Sequence, residues 1–229
     1  VLGDSYAFGQ GVNAEERFDA YWADSANIIN LGVMGYGTGQ QVIAAELEKE
    51  KLKAGGVILI FSYYNDLFDL LRSQFTGRSK PRFELVEGAP ELKLHSPEVS
   101  WYEWLRDHSY LFSRLMLLTE QQRSFSESEL LYSIKLYEEV IRQKLIRELG
   151  EQVTGLKIII AYHGLQQFAR PNIKKRWVNA LGNLSNDPKV TTVPLDTLLQ
   201  KEVDFLSDGH WNKRGHQNVG NALKKYVIN

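Results

Sequence analysis

Short apolar runs alternate along the chain with longer stretches of helical periodicity. The runs 57–61 and 157–161 are almost entirely apolar, which is typical of strands buried on both faces of a parallel sheet. Weaker runs occur at 27–31 and 190–193, and a further one ends at Leu2. The pattern therefore predicts five strands.

The segments between these runs favour helices. From Gln41 to Lys53, apolar residues recur about four positions apart, as on a helix that packs against a sheet. The longest helix is predicted from Glu127 to Leu149, because Ser126 and Glu129 form a capping box ahead of regularly spaced apolar residues. Gly150 suits the C-terminal cap of that helix.

This alternation predicts an α/β fold. Parallel strands need right-handed crossovers that carry helices, so we expect a three-layer α/β/α sandwich around a five-stranded parallel sheet. The 229 residues fit a single domain over 1–229.

The segment from about 71 to 122 departs from this rhythm, and we expect it to be an insertion. Residues 82–86 and 91–94 partly alternate around a turn at 87–90, which predicts a small hairpin. Aromatic and apolar residues then crowd 101–117. They fit either a helical flap over the carboxyl edge of the sheet or ordinary core packing.

Composition excludes several classes of function. Hydrophobic residues make up 43% and charged residues 24%, the balance of a globular protein rather than a disordered one. The net charge is -1, so we expect no nucleic-acid partner, and no apolar run approaches the ~18 residues of a membrane segment. The absence of cysteine excludes disulfides, thiolate metal sites and a cysteine nucleophile.

Polar residues follow the predicted strands, at the edge where open α/β sheets bind their ligands. Serine catalysis needs a base and an orienting acid near the nucleophile, and backbone or side-chain amides can stabilise the oxyanion by roughly 3 kcal/mol each. Each candidate also fits a cap or a turn, so their joint placement carries the argument. In chain order they are Ser5, the glycine-rich stretch 30–39, Asn65, Asp208 and His210.

Of the five histidines, only His210 has a nearby carboxylate in a glycine-containing loop. We expect structural roles for His163, which follows the fourth strand, and for His216, which falls in the predicted final helix. The chain contains neither a His-Glu-x-x-His motif nor a cysteine pair, so we expect no metal and no cofactor. Asp4 and Asp66 are expected to bind backbone amides of neighbouring loops.

Taken in order, these segments resemble the motif blocks of the SGNH, or GDSL-like, hydrolases. The matches span nearly the whole chain, and they imply the flavodoxin-like fold of that family with an insertion. They are Gly3-Asp4-Ser5, the stretch Asn30 to Gly35, Asn65-Asp66 and Asp208-Gly209-His210.

The resemblance also implies a role for each residue. Ser5 would be the nucleophile, His210 the base and Asp208 the orienting acid. The oxyanion hole would consist of the Ser5 amide, the Gly35 amide and the side-chain amide of Asn65.

Three points depart from the family pattern or leave an alternative. Gly32 is an alternative to Gly35 as the oxyanion donor. The orienting acid has two alternatives, because Asp208 stands only two residues before His210. Either Asp204 takes that role or the site has no orienting acid. Tyr63 occupies a position where the family usually has glycine, which could alter the backbone path to Asn65.

The implied activity is hydrolysis of an ester, such as a short acyl group on a small molecule or a glycan. The same residues would serve a carbohydrate O-acyltransferase, and a non-catalytic glycan-binding relative is a further alternative. A phosphate-binding module is disfavoured, because Gly3 to Gly11 lacks the Lys-Ser/Thr ending of a P-loop. The resemblance implies a periplasmic or secreted location, and we expect any leader or anchor to precede Val1.

Overall fold

The structure is a computed structural model that describes residues 1–75, 78–86, 92–97, 101–109, 112 and 125–228. The strands, in chain order, are β1 (Val57–Tyr63), β2 (Gln74–Phe75), β3 (Arg78–Ser79), β4 (Arg82–Leu85), β5 (Leu92–His95), β6 (Lys157–His163) and β7 (Val190–Pro194).

The α-helices are α1 (Ser5–Phe8), α2 (Thr38–Leu47), α3 (Asp66–Leu71), α4 (Trp101–His108), α5 (Glu127–Val140), α6 (Gly150–Gln152), α7 (Pro171–Leu184) and α8 (Lys213–Val227). A wider π-helical segment, Ile141–Leu149, joins α5 to α6. Short 3-10 turns lie at Ala14–Glu16, Phe18–Trp22, Lys49–Lys51 and Leu165–Gln167.

The central sheet is parallel and has the order β1-β6-β7. Val57 lies opposite Lys157 in β6, and Ile158 lies opposite Val190 in β7. The predicted strands at 57–61, 157–161 and 190–193 are therefore confirmed.

The other two predicted strands are not regular strands, so a five-stranded sheet is not confirmed. Leu2 forms an isolated parallel bridge with Ile60, and Val1 accepts a 2.9 Å hydrogen bond from the Leu31 amide. These segments thus run along the free side of β1. The first cannot extend into a ladder, because Asp4 already caps the helix that begins at Ser5.

Apolar side chains of the sheet alternate between two buried clusters. Ile58 and Ile60 belong to a cluster that includes residues of α5 and α7, whereas Leu59 and Phe61 belong to one that includes residues of α8. This alternation follows from the two-residue period of a strand. Helices therefore cover both faces of the sheet.

The predicted start of the long helix is confirmed, whereas its predicted end at Leu149 is wrong. The Ser126 hydroxyl accepts a hydrogen bond from the Glu129 amide (3.2 Å), and the Glu129 carboxylate accepts one from the Ser126 amide (2.8 Å). Gly150, however, does not end the helix. It has right-handed helical angles and its amide still bonds the preceding turn, so helical structure continues to Gln152.

Helix α2 begins and ends earlier than the predicted 41–53, with the 3-10 turn Lys49–Lys51 after it. In the 71–122 segment, β4 and β5 form the expected antiparallel hairpin, with its 87–90 turn outside the described residues. Helix α4 lies in the aromatic stretch, of which 110–111 and 113–117 are also outside them. No helix of the described residues combines the length and apolar character needed to span a bilayer.

Candidate active site

Ser5 is the first residue of α1, at the edge of the sheet beyond Leu2. The preceding Asp4 caps this helix, because its carboxylate accepts a 3.0 Å hydrogen bond from the Tyr6 amide. Ser5 is therefore not the capping residue, and its hydroxyl is free for another partner. Its amide, in the first turn, makes no hydrogen bond with the described residues.

His210 meets Ser5 although 205 positions separate them: His210 Nε2 lies 2.9 Å from Ser5 Oγ. The histidine is held in a tight loop in which its carbonyl accepts a 2.7 Å hydrogen bond from the Leu206 amide. Gly209 has φ +90, a left-handed conformation that favours glycine and lets the loop turn sharply before the histidine. The structure thus brings together the proposed nucleophile and base.

Asp208 also reaches the histidine, but less firmly. Its Oδ2 lies 3.2 Å from His210 Nδ1, although Nδ1 makes no regular hydrogen bond with the described residues. The Asp208 side chain is 51% exposed. A hydrogen bond from the His210 backbone amide is the main cause that lowers the pKa of this carboxyl.

The alternative acid, Asp204, bonds to residues other than His210. It is buried, and its carboxylate accepts hydrogen bonds from the Gln200 amide (2.7 Å) and from Asn218 Nδ2 (3.1 Å). Arg214 Nε lies 3.3 Å from the same carboxylate. No described contact joins Asp204 to His210, so the geometry favours Asp208 of the two.

The two candidate glycines differ in what their amides bind. The Gly32 amide donates to Asn30 Oδ1 at 2.8 Å, and a Cβ at Gly32 would lie 2.5 Å from the Phe8 nitrogen. Gly32 is thus required for close packing against α1. Gly35 has φ +76, and its amide makes no hydrogen bond with the described residues. Of the two glycines, Gly35 is therefore the one whose amide can donate a hydrogen bond to a ligand.

Asn65 lies beside the same helix, but its amide is already occupied. Nδ2 donates to Asp4 Oδ2 at 3.0 Å and to Asp69 Oδ2 at 3.1 Å. Asn65 Oδ1 is buried and has no partner among the described residues. The side chain must therefore release one carboxylate before it can donate to an oxyanion.

Three buried carboxyl groups, Asp4, Asp66 and Asp69, surround Asn65. Burial raises the pKa of each of them, and the neighbouring Asp4 further raises that of Asp66. Asp4 binds the Tyr6 amide and Asp66 binds the Tyr63 amide at 2.7 Å, as expected for loop-holding residues.

The role of Asp69 was missed by the sequence reasoning, although its spacing of four from Asn65 on one helix could have indicated it. A buried lysine, Lys80, comes from the 71–122 segment and places its Nζ 3.9 Å from Asp69 Oδ1. Burial lowers the pKa of Lys80. This segment therefore reaches the residues that hold Asn65.

The departure at Tyr63 is accommodated by a glycine directly after β6, the neighbouring strand. The Tyr63 ring stacks on His163 with 4.4 Å between ring centroids, and it lies where any Cβ on Gly164 would be. Burial raises the pKa of Tyr63 to about 12. Asn65 still reaches Asp4, so the tyrosine does not divert it from the neighbourhood of Ser5.

Tyr6 is a further site residue that the sequence reasoning missed. Its hydroxyl donates a 2.9 Å hydrogen bond to the Gly209 carbonyl, and its ring centroid lies 5.3 Å from that of His210 and 4.9 Å from that of Trp211. Tyr6 thus connects the helix of the nucleophile to the loop of the base. Its position beside Ser5 was the available signal.

The other two histidines considered are buried and do not contact Ser5 in the described structure. Burial lowers the pKa of His163 to about 3 and that of His216 to about 4, so both are neutral near pH 7. His163 packs against Tyr6 and Trp211, and His216 packs against Phe18. These contacts agree with the structural roles predicted for them.

No family model and no curated protein sequence matches this chain. Solved structures do resemble it. One is a member of the lipolytic protein G-D-S-L family from Veillonella parvula, with TM-score 0.52, 12% identity, and coverage of 97% of this chain and 93% of the other. Another is a lipase from a goat rumen metagenome, with TM-score 0.52, 17% identity, and coverage of 99% and 95%.

A third similar structure is an inhibitor-bound aryl esterase of M. smegmatis, with TM-score 0.51, 9% identity, and coverage of 99% and 95%. These similarities extend over nearly the full length of each chain. The resemblance to GDSL-like hydrolases is therefore confirmed at the level of the fold.

Proposed function

We propose that this chain is an SGNH-type serine hydrolase that cleaves a carboxylic ester through an acyl-enzyme on Ser5. The observation that carries the proposal is the 2.9 Å separation of Ser5 Oγ and His210 Nε2. A hydrogen bond between a serine hydroxyl and a histidine ring nitrogen is the arrangement that activates a weak nucleophile. The fold shared with a lipase and an aryl esterase supports the same class of reaction.

In the proposed acylation step, His210 Nε2 accepts the Ser5 proton while Ser5 Oγ bonds to the ester carbonyl carbon. Negative charge develops on the carbonyl oxygen. The amides of Ser5 and Gly35 would receive it, joined by Asn65 once that side chain releases a carboxylate. When the tetrahedral intermediate collapses, the carbon–oxygen bond to the alcohol breaks and His210 returns the proton to the leaving oxygen.

Deacylation repeats these steps with water. His210 takes a proton from the water, whose oxygen attacks the acyl carbon, and the proton then returns to Ser5 Oγ as the carboxylic acid leaves. Asp208 would orient the His210 ring and stabilise its positive charge. An acceptor hydroxyl in place of water would give transfer of the acyl group.

For the substrate we propose a short acyl ester, such as an O-acetyl group, carried by a carbohydrate. This finer assignment is based on the resemblance of the motifs to those of carbohydrate-active members of the family.

The direct test is labelling by a fluorophosphonate probe, which reacts with activated serines. The wild-type protein should label and turn over p-nitrophenyl acetate, Ser5→Ala should do neither, and Ser25→Ala, at an exposed serine, should behave as wild type. A folded wild-type protein that neither labels nor hydrolyses the ester would contradict the proposal and favour a non-catalytic glycan-binding role.

A further inference from the structure

A partly open cavity of about 350 Å³ lies beside the candidate site, at the carboxyl ends of β1, β6 and β7. Tyr63, His163 and Asp196 line it from the strand ends, and Gln167, Phe205 and Gly209 from the loops. Its volume is within the range of small-molecule sites, roughly 300–1,000 Å³. None of the residues assigned to nucleophile, base or oxyanion hole lines it.

The cavity lies on the histidine side of the candidate site, away from the proposed oxyanion donors. The oxyanion donors Ser5 and Gly35 follow the segments on the free side of β1, whereas the cavity extends from β1 towards β7. Gly209, in its wall, directly precedes His210. Because His210 would return its proton to the departing oxygen, the alcohol part of the ester must lie on the side of the histidine.

The lining is mostly apolar in area, with a few polar groups set among the apolar side chains. Lys201 adds one positive charge against the carboxylates of Asp196 and Glu202, and two exposed glutamines, Gln166 and Gln167, line the same cavity as the rings of Tyr63 and Phe205. An excess of carboxylates does not suit an anion. Aromatic faces combined with amide and carboxylate groups are suited to a neutral molecule with several hydroxyl groups.

Two lining residues also carry buried polar atoms that lack partners. His163 is 3% exposed, and its Nε2 has no hydrogen bond with the described residues. Asp196 Oδ1 accepts the amides of Gly164 (3.1 Å) and Leu165 (3.2 Å), but its Oδ2 is also without a described partner. Unsatisfied buried polar atoms are uncommon and require an explanation. Both atoms are closed to solvent in this structure, so a hydroxylated ligand would bond to them only after a movement of these side chains.

We propose that this cavity binds the hydroxylated alcohol part of the substrate, a sugar-like polyol, and the same group as product or acceptor. The inference deepens the proposed function and rests on it for the identity of the reacting group. Binding of the free alcohol, however, requires no catalysis, so the two can be tested separately.

The binding test uses Ser5→Ala and a panel of neutral methyl glycosides, with decanol as the apolar comparison. Amide signals of Gly164 and Gly209 should shift in NMR spectra on addition of at least one glycoside and not on addition of decanol. Absence of shifts with every glycoside would overturn the inference even if the wild-type enzyme labels with a fluorophosphonate. Shifts with decanol alone would overturn it in favour of an apolar alcohol.

A cavity-filling variant tests specificity. Gln167→Trp should weaken binding of the active glycoside at least tenfold. It should also lower, by a similar factor, the ratio of kcat/KM for its acetyl ester to kcat/KM for ethyl acetate. Gln217→Trp makes the same change at an exposed glutamine on α8, outside the cavity, and should leave both quantities unchanged. Equal behaviour of the two variants would contradict the assignment.

Discussion

The Tyr6 hydroxyl donates a hydrogen bond to the Gly209 carbonyl across 2.9 Å, and 203 positions of sequence separate the two residues. Gly209 precedes His210, whereas Tyr6 follows Ser5. This bond is therefore a second link, beside the Ser5–His210 contact, between the segments that carry the proposed nucleophile and base. The Asp208 side chain is half exposed, whereas Tyr6 is buried, so Tyr6 is the more shielded of the two contacts that hold the loop of His210.

Removal of that hydroxyl should slow acylation without unfolding the protein. We expect Tyr6→Phe to reduce the rate of fluorophosphonate labelling about tenfold to a hundredfold, because small misplacements of reacting groups carry penalties of this size. Stability should fall by about 1 kcal/mol, the usual contribution of one hydrogen bond. Tyr226→Phe is the matched control, and an identical labelling rate in both variants would exclude the positioning role.

Substitution of the two candidate acids should have different effects, on kcat for one and on stability for the other. Asp208→Asn should reduce kcat about tenfold to a hundredfold, with unchanged stability, because the carboxylate is exposed and only loosely oriented on His210. His210→Gln should reduce kcat to the level of Ser5→Ala. The measurement is kcat for p-nitrophenyl acetate, alongside urea unfolding.

Asp204→Asn should show the opposite result. Its carboxylate is buried among Gln200, Asn218 and Arg214, so we expect a loss of about 1–3 kcal/mol of stability with kcat of the folded protein little changed. A large loss of kcat with normal stability would instead identify Asp204 as the acid.

Asn65→Ala should affect both stability and catalysis. Asp4 and Asp69 would each lose a donor within a buried group of carboxyls, which we expect to destabilise the protein by about 1–3 kcal/mol. Loss of an oxyanion donor should lower kcat by roughly 10²–10³. Stability loss alone, with wild-type kcat in the folded fraction, would show that the Asn65 amide stays with the carboxylates during the reaction.

Acidification should destabilise the protein through its buried histidines. The pKa of His163 is lowered to about 3 from the ordinary 6.5, so between these values the unfolded chain binds a proton that the folded chain does not. This histidine therefore does not lower the free energy of unfolding above pH 6.5. Between pH 6.5 and about 3 it lowers that free energy by about 1.4 kcal/mol for each unit of decrease in pH. His216 acts in the same direction down to about 4.

His163→Phe tests this assignment, because it keeps a ring against Tyr63 but removes the titrating group. Urea unfolding between pH 4.5 and 8 should show a shallower loss of stability in the variant than in the wild type. The carboxyls with raised pKa contribute equally to both proteins, so the difference isolates His163. Parallel curves would disprove the assignment.

Because Tyr63 and Gly164 are in contact, substitutions at the two positions should have non-additive effects on the free energy of unfolding. Gly164→Ala should cost about 2 kcal/mol or more, because the new Cβ would overlap the tyrosine ring and the residue has φ +84. In a Tyr63→Ala background only the backbone strain of about 1–2 kcal/mol should remain. A double-mutant cycle on unfolding free energies measures this difference, and additive costs would refute the contact.

Much of the architecture follows from local pattern. The apolar runs of β1, β6 and β7 and the cap at Ser126 act through neighbours a few positions away, and the structure has them where the pattern predicts. Prediction failed at the end of the long helix. Gly150 continues a helix because its amide still finds acceptors in the preceding turn.

The sequence by itself determined which chemical groups are available, from Ser5 to His210, and which apolar runs form β1, β6 and β7, because side-chain type and local apolar pattern are properties of the chain. Only the tertiary structure decided how these groups are used: that Tyr6 supports the loop of His210, and that the Asn65 amide is shared by Asp4 and Asp69. Such contacts depend on distances and directions between segments that pack together only after folding. No local pattern encodes them.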